Sequence, residues 1–133
     1  MLQASVRWSK KADAYKAGQQ SSQEALADLK GKADFALAFC TVDYDEAAFL
    51  KGIQETVGDV PLMGCTSFTG ILTPGGFIHK EGGVGGVLLL SSPEMKFGVG
   101  GNEIGDDPRA AAQKAARAAI AQAGKTESDA ASA

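Results

Sequence analysis

Cysteine, histidine and positive charge are scarce in this 133-residue chain. It has two cysteines, Cys40 and Cys65, and one histidine, His79. Their spacing forms no zinc-binding pattern, so we expect both cysteines to be free and reduced. Lys and Arg number 13 against 16 Asp and Glu, for a net charge of −3. Because phosphate binding needs clustered positive charge, this balance argues against a nucleic-acid partner.

Long apolar runs are also missing. No stretch approaches the roughly 18 apolar residues that a membrane helix requires. Near the N-terminus, Arg7, Lys10 and Lys11 come too early for the apolar core of a signal peptide. We therefore expect no membrane partner, no leader and a cytoplasmic location.

The first half of the chain predicts a βαβ unit. The apolar run Phe35–Cys40 is typical of a buried strand covered on both faces. The segment Asp43–Glu46 has the pattern of a capping box, and it opens a helix that Gly58 ends. A second short strand follows at Val60–Met63. Two strands joined in this way are expected to be parallel, with a right-handed crossover.

The N-terminal residues predict one strand and one helix. Ser5–Trp8 alternates between apolar and polar residues, as a strand does. The polar segment Lys10–Gln20 is interpreted as a loop. A capping box at Ser21–Glu24 would then begin a helix that ends at Gly31.

Glycine dominates the middle and second half, where 14 of the 17 glycines lie between Gly52 and Gly105. Pro74-Gly75 predicts a type II turn within a hairpin. Val84–Leu90 predicts a buried strand, and the alternation over Met95–Val99 predicts a further antiparallel strand.

Asp107 and Pro108 predict the start of a last helix, which runs to Ala123. The expected fold is α/β: a mixed β-sheet flanked by helices, with a parallel βαβ unit and an antiparallel glycine-rich hairpin region. We expect one domain over residues 1–124 and a disordered tail over residues 125–133.

The segment VPLMGCTSFTGIL, residues 60–72, contains the candidate site. A corner at Gly64-Cys65-Thr66-Ser67 is expected just past the carboxyl end of a parallel strand, where α/β sheets bind ligands. Its hydroxyls and amides would hold a carboxylate or phosphate. Cys40, Thr41 and Asp43 follow the neighbouring strand and would form the rim. We interpret Cys65 mainly as a small pocket or core residue.

Two other functions remain open. Cys65 would be a nucleophile if His79 lowered the pKa of its thiol. Alternatively, His79 would bind haem iron, or a metal together with Glu81. Against catalysis, the sequence has no paired acids and no Ser/His/Asp set. The glycines of residues 82–86 and 98–101 match neither phosphate-binding nor dinucleotide-binding patterns.

Four segments together resemble the early part of the FIST N-terminal domain. They are ADFALAFCTVDYDEAAFLKGI, VPLMGCTSFTGIL, GGVLLLSS and DDPRAAAQKAARAA, in family order over about residues 33–120. The resemblance implies a bacterial signal-transduction module that senses small ligands such as amino acids, and some members of the family bind haem. It carries over Gly64, Cys65 and Thr66 as binding residues.

The chain departs from the family pattern in two ways. Ile71 stands where an acidic residue is frequent. The chain also ends soon after the DDPRAA helix, where the family continues into further strands and a C-terminal domain. The resemblance therefore implies a truncated domain, whose usual partner is a C-terminal FIST domain or an output domain. A sheet edge left open by truncation would be covered in a homodimer.

Overall fold

A computed structural model describes residues 1–29 and 31–130. The strands are β1 (Gln3–Ser9), β2 (Phe35–Thr41), β3 (Leu62–Ser67), β4 (Ile71–Thr73), β5 (Gly76–Ile78) and β6 (Gly85–Ser91). The helices are α1 (Ala14–Leu29), α2 (Glu46–Val57), α3 (Pro108–Gln122) and α4 (Glu127–Ala130). These residues fall into two compact units, Met1–Pro93 and the part from Glu94 onward. Among them, no helix is both long and apolar enough to cross a membrane.

The first unit contains a mixed four-stranded sheet in the order β1-β6-β2-β3. β2 and β3 are parallel, whereas β6 is antiparallel to both β1 and β2. Strands β4 and β5 form a separate antiparallel hairpin. The predicted α/β class, the parallel βαβ unit and the glycine-rich hairpin are thereby confirmed, and β3 lies at an edge of the sheet.

One face of this sheet is buried against α1 and α2. Alternate residues of a strand point to opposite faces, and the core takes Ala36, Ala38 and Cys40 from β2. On the other face Phe39 is 40% exposed. The prediction that β2 is covered on both faces was therefore wrong. The same apolar run results when only one face packs against helices and the other lines an apolar groove.

Helix α1 begins at Ala14, so the predicted start at Ser21 was wrong. The Asp13 carboxylate accepts a hydrogen bond from the Lys16 N–H, which caps the helix earlier. Ser21 is fully buried, and its hydroxyl donates to the Ala17 carbonyl. Apart from Leu29, the packing face consists of small residues, so its first half shows no stripe of large apolar residues. At its centre a Cβ on Gly18 would lie 2.2 Å from the Phe49 carbonyl oxygen, so α1 and α2 touch backbone to backbone.

Helix α2 ends at Gly58 as predicted, but the predicted capping box Asp43–Glu46, which would make Asp43 the N-cap, was wrong. The Asp45 side chain accepts from the Ala48 N–H as the N-cap, and Gly58 is the C-cap with φ 81°. In the β4–β5 hairpin, Pro74-Gly75 forms the turn, but the positive φ of 108° belongs to Gly76. A type II turn needs that conformation at Gly75, so the predicted turn type was wrong.

In the second unit, α3 begins after Asp107, whose side chain accepts from the Ala110 N–H as predicted. Residues 92–107 contain no strand, so the strand predicted over Met95–Val99 was wrong. This segment instead lies against α3, where a Cβ on Gly98 would be 2.0 Å from the Ala119 carbonyl oxygen. In the predicted tail the structure shows α4, and residues 131–133 lie outside the described residues.

Candidate ligand site

The predicted corner at residues 64–67 lies inside β3. Gly64 pairs with Ala38, and Ser67 pairs with Thr41, in continuous parallel register. The predicted strand end at Met63 was therefore wrong. Any Cβ on Gly64 would lie 1.7 Å from the Ala38 carbonyl oxygen, so glycine is what lets β3 continue along β2 here.

A cavity of about 330 Å³ lies between the β2–β3 edge and α2. We call it the edge cavity. Its lining from β2 and β3 is Ala38, Cys40, Leu62, Met63, Gly64, Cys65 and Thr66, and α2 adds Glu46, Phe49 and Leu50. Four residues predicted from sequence are thus brought together: Cys40, Gly64, Cys65 and Thr66.

The other three predicted residues lie elsewhere. Ser67 lines a different cavity, and its hydroxyl donates to the Gly70 carbonyl. Thr41 is fully buried, where its Oγ1 accepts from the Val84 N–H at 3.1 Å. Asp43 is exposed in the turn before α2 and lines neither cavity. Thr41 therefore contributes to the fold around the site.

The edge cavity combines an apolar wall with two polar groups. Phe49, which is buried, and half-buried Leu50 form the wall on the helix side. The Glu46 carboxylate forms no ion pair within residues 1–29 and 31–130, and the Thr66 hydroxyl has no hydrogen bond there. Burial, followed by the nearby Glu46 charge, raises the pKa of the Cys40 thiol. A raised pKa keeps this thiol protonated and a poor nucleophile.

The structure does not place His79 at the edge cavity. His79 is exposed, and its Nδ1 lies within hydrogen-bonding distance of the Thr69 carbonyl oxygen. Cys65 is a free, exposed cysteine. Within the described part of the chain, no group of three or more His, Cys, Asp or Glu side chains has an arrangement that would hold a metal ion.

Glycines at and just before the start of β6 pack against two aromatic rings, of which Phe49 lines the edge cavity. A Cβ on Gly83 would lie 2.1 Å from the Tyr44 ring, and one on Gly85 would lie 2.5 Å from the Phe49 ring. The Tyr44 hydroxyl donates to the Lys11 carbonyl, and burial raises the pKa of Tyr44 to about 12. The glycines thus make room for two aromatic rings at the start of α2.

A larger groove of about 540 Å³ lies on the opposite face of the sheet, under the β4–β5 hairpin. We call it the open-face groove. Its side chains are mostly apolar and include Trp8, Phe39 and Leu88. The hydroxyls of Ser67 and Thr73 already donate to the carbonyls of Gly70 and Gly76. Arg7 also lines the groove, but its guanidinium is paired with Asp28 at 2.6 Å, so the groove offers fewer unpaired polar groups than the edge cavity to orient a polar ligand.

Sequence reasoning missed the three α2 residues of the edge cavity, Glu46, Phe49 and Leu50. Part of the signal is present in the sequence, because Phe49 and Leu50 lie on the apolar face of that helix. Glu46 gives no such signal, because an acidic residue in the first turn of a helix is already explained by the favourable helix dipole. β3 continues past Gly64, beneath these side chains, because it pairs with β2. No local sequence pattern shows this pairing.

Comparison with known proteins gives one family. The sequence model of the FIST N domain matches residues 34–132, which is most of the chain. A search of curated proteins finds no match.

Proposed function

Because this chain belongs to the FIST N domain family, whose members are associated with signal transduction, we propose that it is a non-catalytic sensory domain. Its ligand is a small, polar, amino-acid-like metabolite bound in the edge cavity. The cavity volume of about 330 Å³ is at the lower end of the range of ligand pockets.

The observation that carries this proposal is the position of Glu46. Its carboxylate borders a largely apolar cavity and has no cationic partner within the described residues. A ligand ammonium would supply that partner, and charge-assisted hydrogen bonds are the stronger kind. The Thr66 hydroxyl offers a second polar contact, and Phe49 and Leu50 would pack against the ligand's apolar part.

The same charges disfavour a phosphate. Asp43 and Asp45 precede Glu46 at the N-terminus of α2, and Asp45 already caps it. Helix N-termini attract anions, but three carboxylates at this one oppose a fourth negative group. We therefore expect an amine to be the primary recognition element.

Signalling follows if the ligand prefers one of two conformations. Contacts to Glu46, Phe49 and Leu50 connect the ligand directly to the first turns of α2. A shift of this helix would then pass to an output domain or a C-terminal FIST domain. The mechanism involves neither haem nor a nucleophilic thiol, because His79, which would have to bind the haem or activate Cys65, lies outside the cavity.

Thermal-shift measurements with amino acids test the proposal. Each amino acid is compared with its decarboxylated amine and its deaminated acid. We expect an amino acid and its amine to raise the melting temperature of the full chain, and the acid to have no effect. If no amine raises the melting temperature at millimolar concentration, the proposed function is wrong.

Site variants locate the binding. Glu46→Gln removes the charge and should weaken binding about tenfold or more, because a hydrogen bond to a charged group contributes about 1.5 kcal/mol or more. Thr66→Val should weaken it less. Glu103→Gln, which changes an exposed carboxylate in the second unit, is the matched control and should bind normally.

A further inference from the structure

The outer edge of β3 presents backbone groups in a defined order. The Ala36 N–H donates to the Pro61 carbonyl, and the Val42 N–H donates to the Ser67 carbonyl. Along a strand, the N–H and C=O of alternate residues point to opposite sides. Residues 61, 63, 65 and 67 therefore bond to β2, whereas Leu62, Gly64 and Thr66 direct their N–H and C=O groups away from the sheet. In the described part of the chain, β3 pairs with β2 alone.

This edge lacks the usual protection against pairing. Soluble proteins protect edge strands with charged residues, proline or bulges. The sequence of β3, LMGCTS, has neither charge nor proline, and its register with β2 is unbroken. Its surface is also apolar, because Met63 is 53% exposed beside the exposed Phe39. The opposite edge strand, β1, carries Arg7.

We propose that β3 pairs with β3 of a second copy of this chain, antiparallel across a two-fold axis at Gly64. This register places Gly64 opposite Gly64 of the second copy and Leu62 opposite Thr66 of the second copy. All three outward-facing residues then form hydrogen-bonded pairs, with two bonds in each of three pairs. The result is a continuous eight-stranded sheet.

Three features favour a second copy as the occupant. β3 is uncharged, so antiparallel self-pairing brings no like charges together. Gly64 at the axis has no side chain, so no two side chains meet there on the face of the joined sheet. The neighbouring register, centred on Cys65, would form only two hydrogen-bonded pairs within the strand. The Gly64 register therefore pairs more of the outward-facing backbone N–H and C=O groups of β3 than the Cys65 register does.

Light scattering on the full chain tests the assembly. We expect a mass of twice 13.6 kDa for the wild type. Met63→Lys combined with Cys65→Lys places lysine opposite lysine twice, and we expect a monomer. Met63→Lys combined with Cys65→Glu places lysine opposite glutamate and should remain a dimer. Both positions are exposed, so both variants should fold, which circular dichroism checks.

A wild-type mass of 13.6 kDa at every soluble concentration would overturn the proposal. So would a dimer that persists in the double-lysine variant, because the interface would then lie elsewhere. A larger assembly formed only with an added peptide would mean that β3 binds extended peptides instead.

Disulfide trapping tests the register. Met63 faces Cys65 of the second copy as a non-hydrogen-bonded pair, with Cα atoms about 4.5 Å apart, within disulfide range. Met63→Cys should therefore give a disulfide-linked dimer under mild oxidation, mapped by mass spectrometry to positions 63 and 65. In the control Thr66→Cys, the new cysteine faces Leu62 of the second copy and points to the opposite sheet face from Cys65, so it should not link the two copies. Rapid Cys65–Cys65 cross-linking in the wild type would contradict the Gly64 register.

Discussion

At the residue scale, two aromatic rings occupy space that only glycine leaves open. A Cβ added at position 83 would lie 2.1 Å from the Tyr44 ring, and one added at position 85 would lie 2.5 Å from the Phe49 ring. The rings of Tyr44 and Phe49 are themselves neighbours, with centroids 5.8 Å apart. The glycine-rich loop therefore supports the wall of the edge cavity.

A pair of alanine substitutions separates ring contact from backbone conformation. Gly83→Ala should destabilise the fold by about 1–3 kcal/mol for overpacking, in addition to the strain of its φ of 110°. Gly82→Ala carries a φ of 81° with nothing within 4 Å, so it should show only the backbone strain, about 1 kcal/mol. Urea unfolding of both variants measures the difference. Equal effects would mean that the Tyr44 contact carries no energy.

At the element scale, Asp34 joins β2 to β6. It directly precedes β2, and its carboxylate accepts from the Ser92 N–H at 2.9 Å and the Ser91 hydroxyl at 3.2 Å. The Ser92 hydrogen bond is the main reason that the pKa of Asp34 lies below its ordinary value of 3.8. The carboxylate thus links the start of β2 to the end of β6, its neighbour in the sheet.

The lowered pKa predicts how this tie depends on pH. A carboxyl whose pKa is lower in the folded state adds stability above its unfolded pKa, and the contribution disappears as the pH falls through the folded pKa. Asp34→Asn should therefore lower the free energy of unfolding at pH 7 and have progressively less effect below pH 3.8. The exposed Asp59→Asn is the control. A pH-independent effect of Asp34→Asn would indicate that packing, not charge, is lost.

The two main helices show what sequence reasoning could reach at this scale. Helix α2 was predictable because its apolar face and its terminating Gly58 are local signals, although the cap is Asp45 and not the predicted Asp43. Only the second half of helix α1 was predictable, since the packing residues of its first half, including Gly18 and Ser21, are small and show no stripe of large apolar residues. Their burial arises from close approach of the two helix backbones, which only the partner helix supplies.

At the scale of the whole molecule, the proposed ligand site and the proposed dimer interface share residues. Leu62, Gly64 and Thr66 line the edge cavity and also form the pairing edge of β3. A second copy would therefore close the outer side of the cavity, and ligand binding and dimerisation would be linked.

Sedimentation with and without ligand measures this linkage. We expect a ligand found by thermal shift to lower the dissociation constant of the wild-type dimer. Glu46→Gln should still dimerise but lose the ligand's effect. An unchanged dissociation constant in saturating ligand would show that the second copy does not contribute to the site.

The sequence alone determined the α/β class, the βαβ unit, the hairpin and the family, because caps, apolar runs and turn residues act over short distances. It also identified Cys40, Gly64, Cys65 and Thr66, which the structure brings to one cavity. Only the tertiary structure decided that β3 continues through Gly64 as an edge strand, that one face of β2 is partly open, and that Glu46 lies at the same cavity as Thr66. These outcomes depend on pairing between segments distant in the chain, which local patterns do not specify.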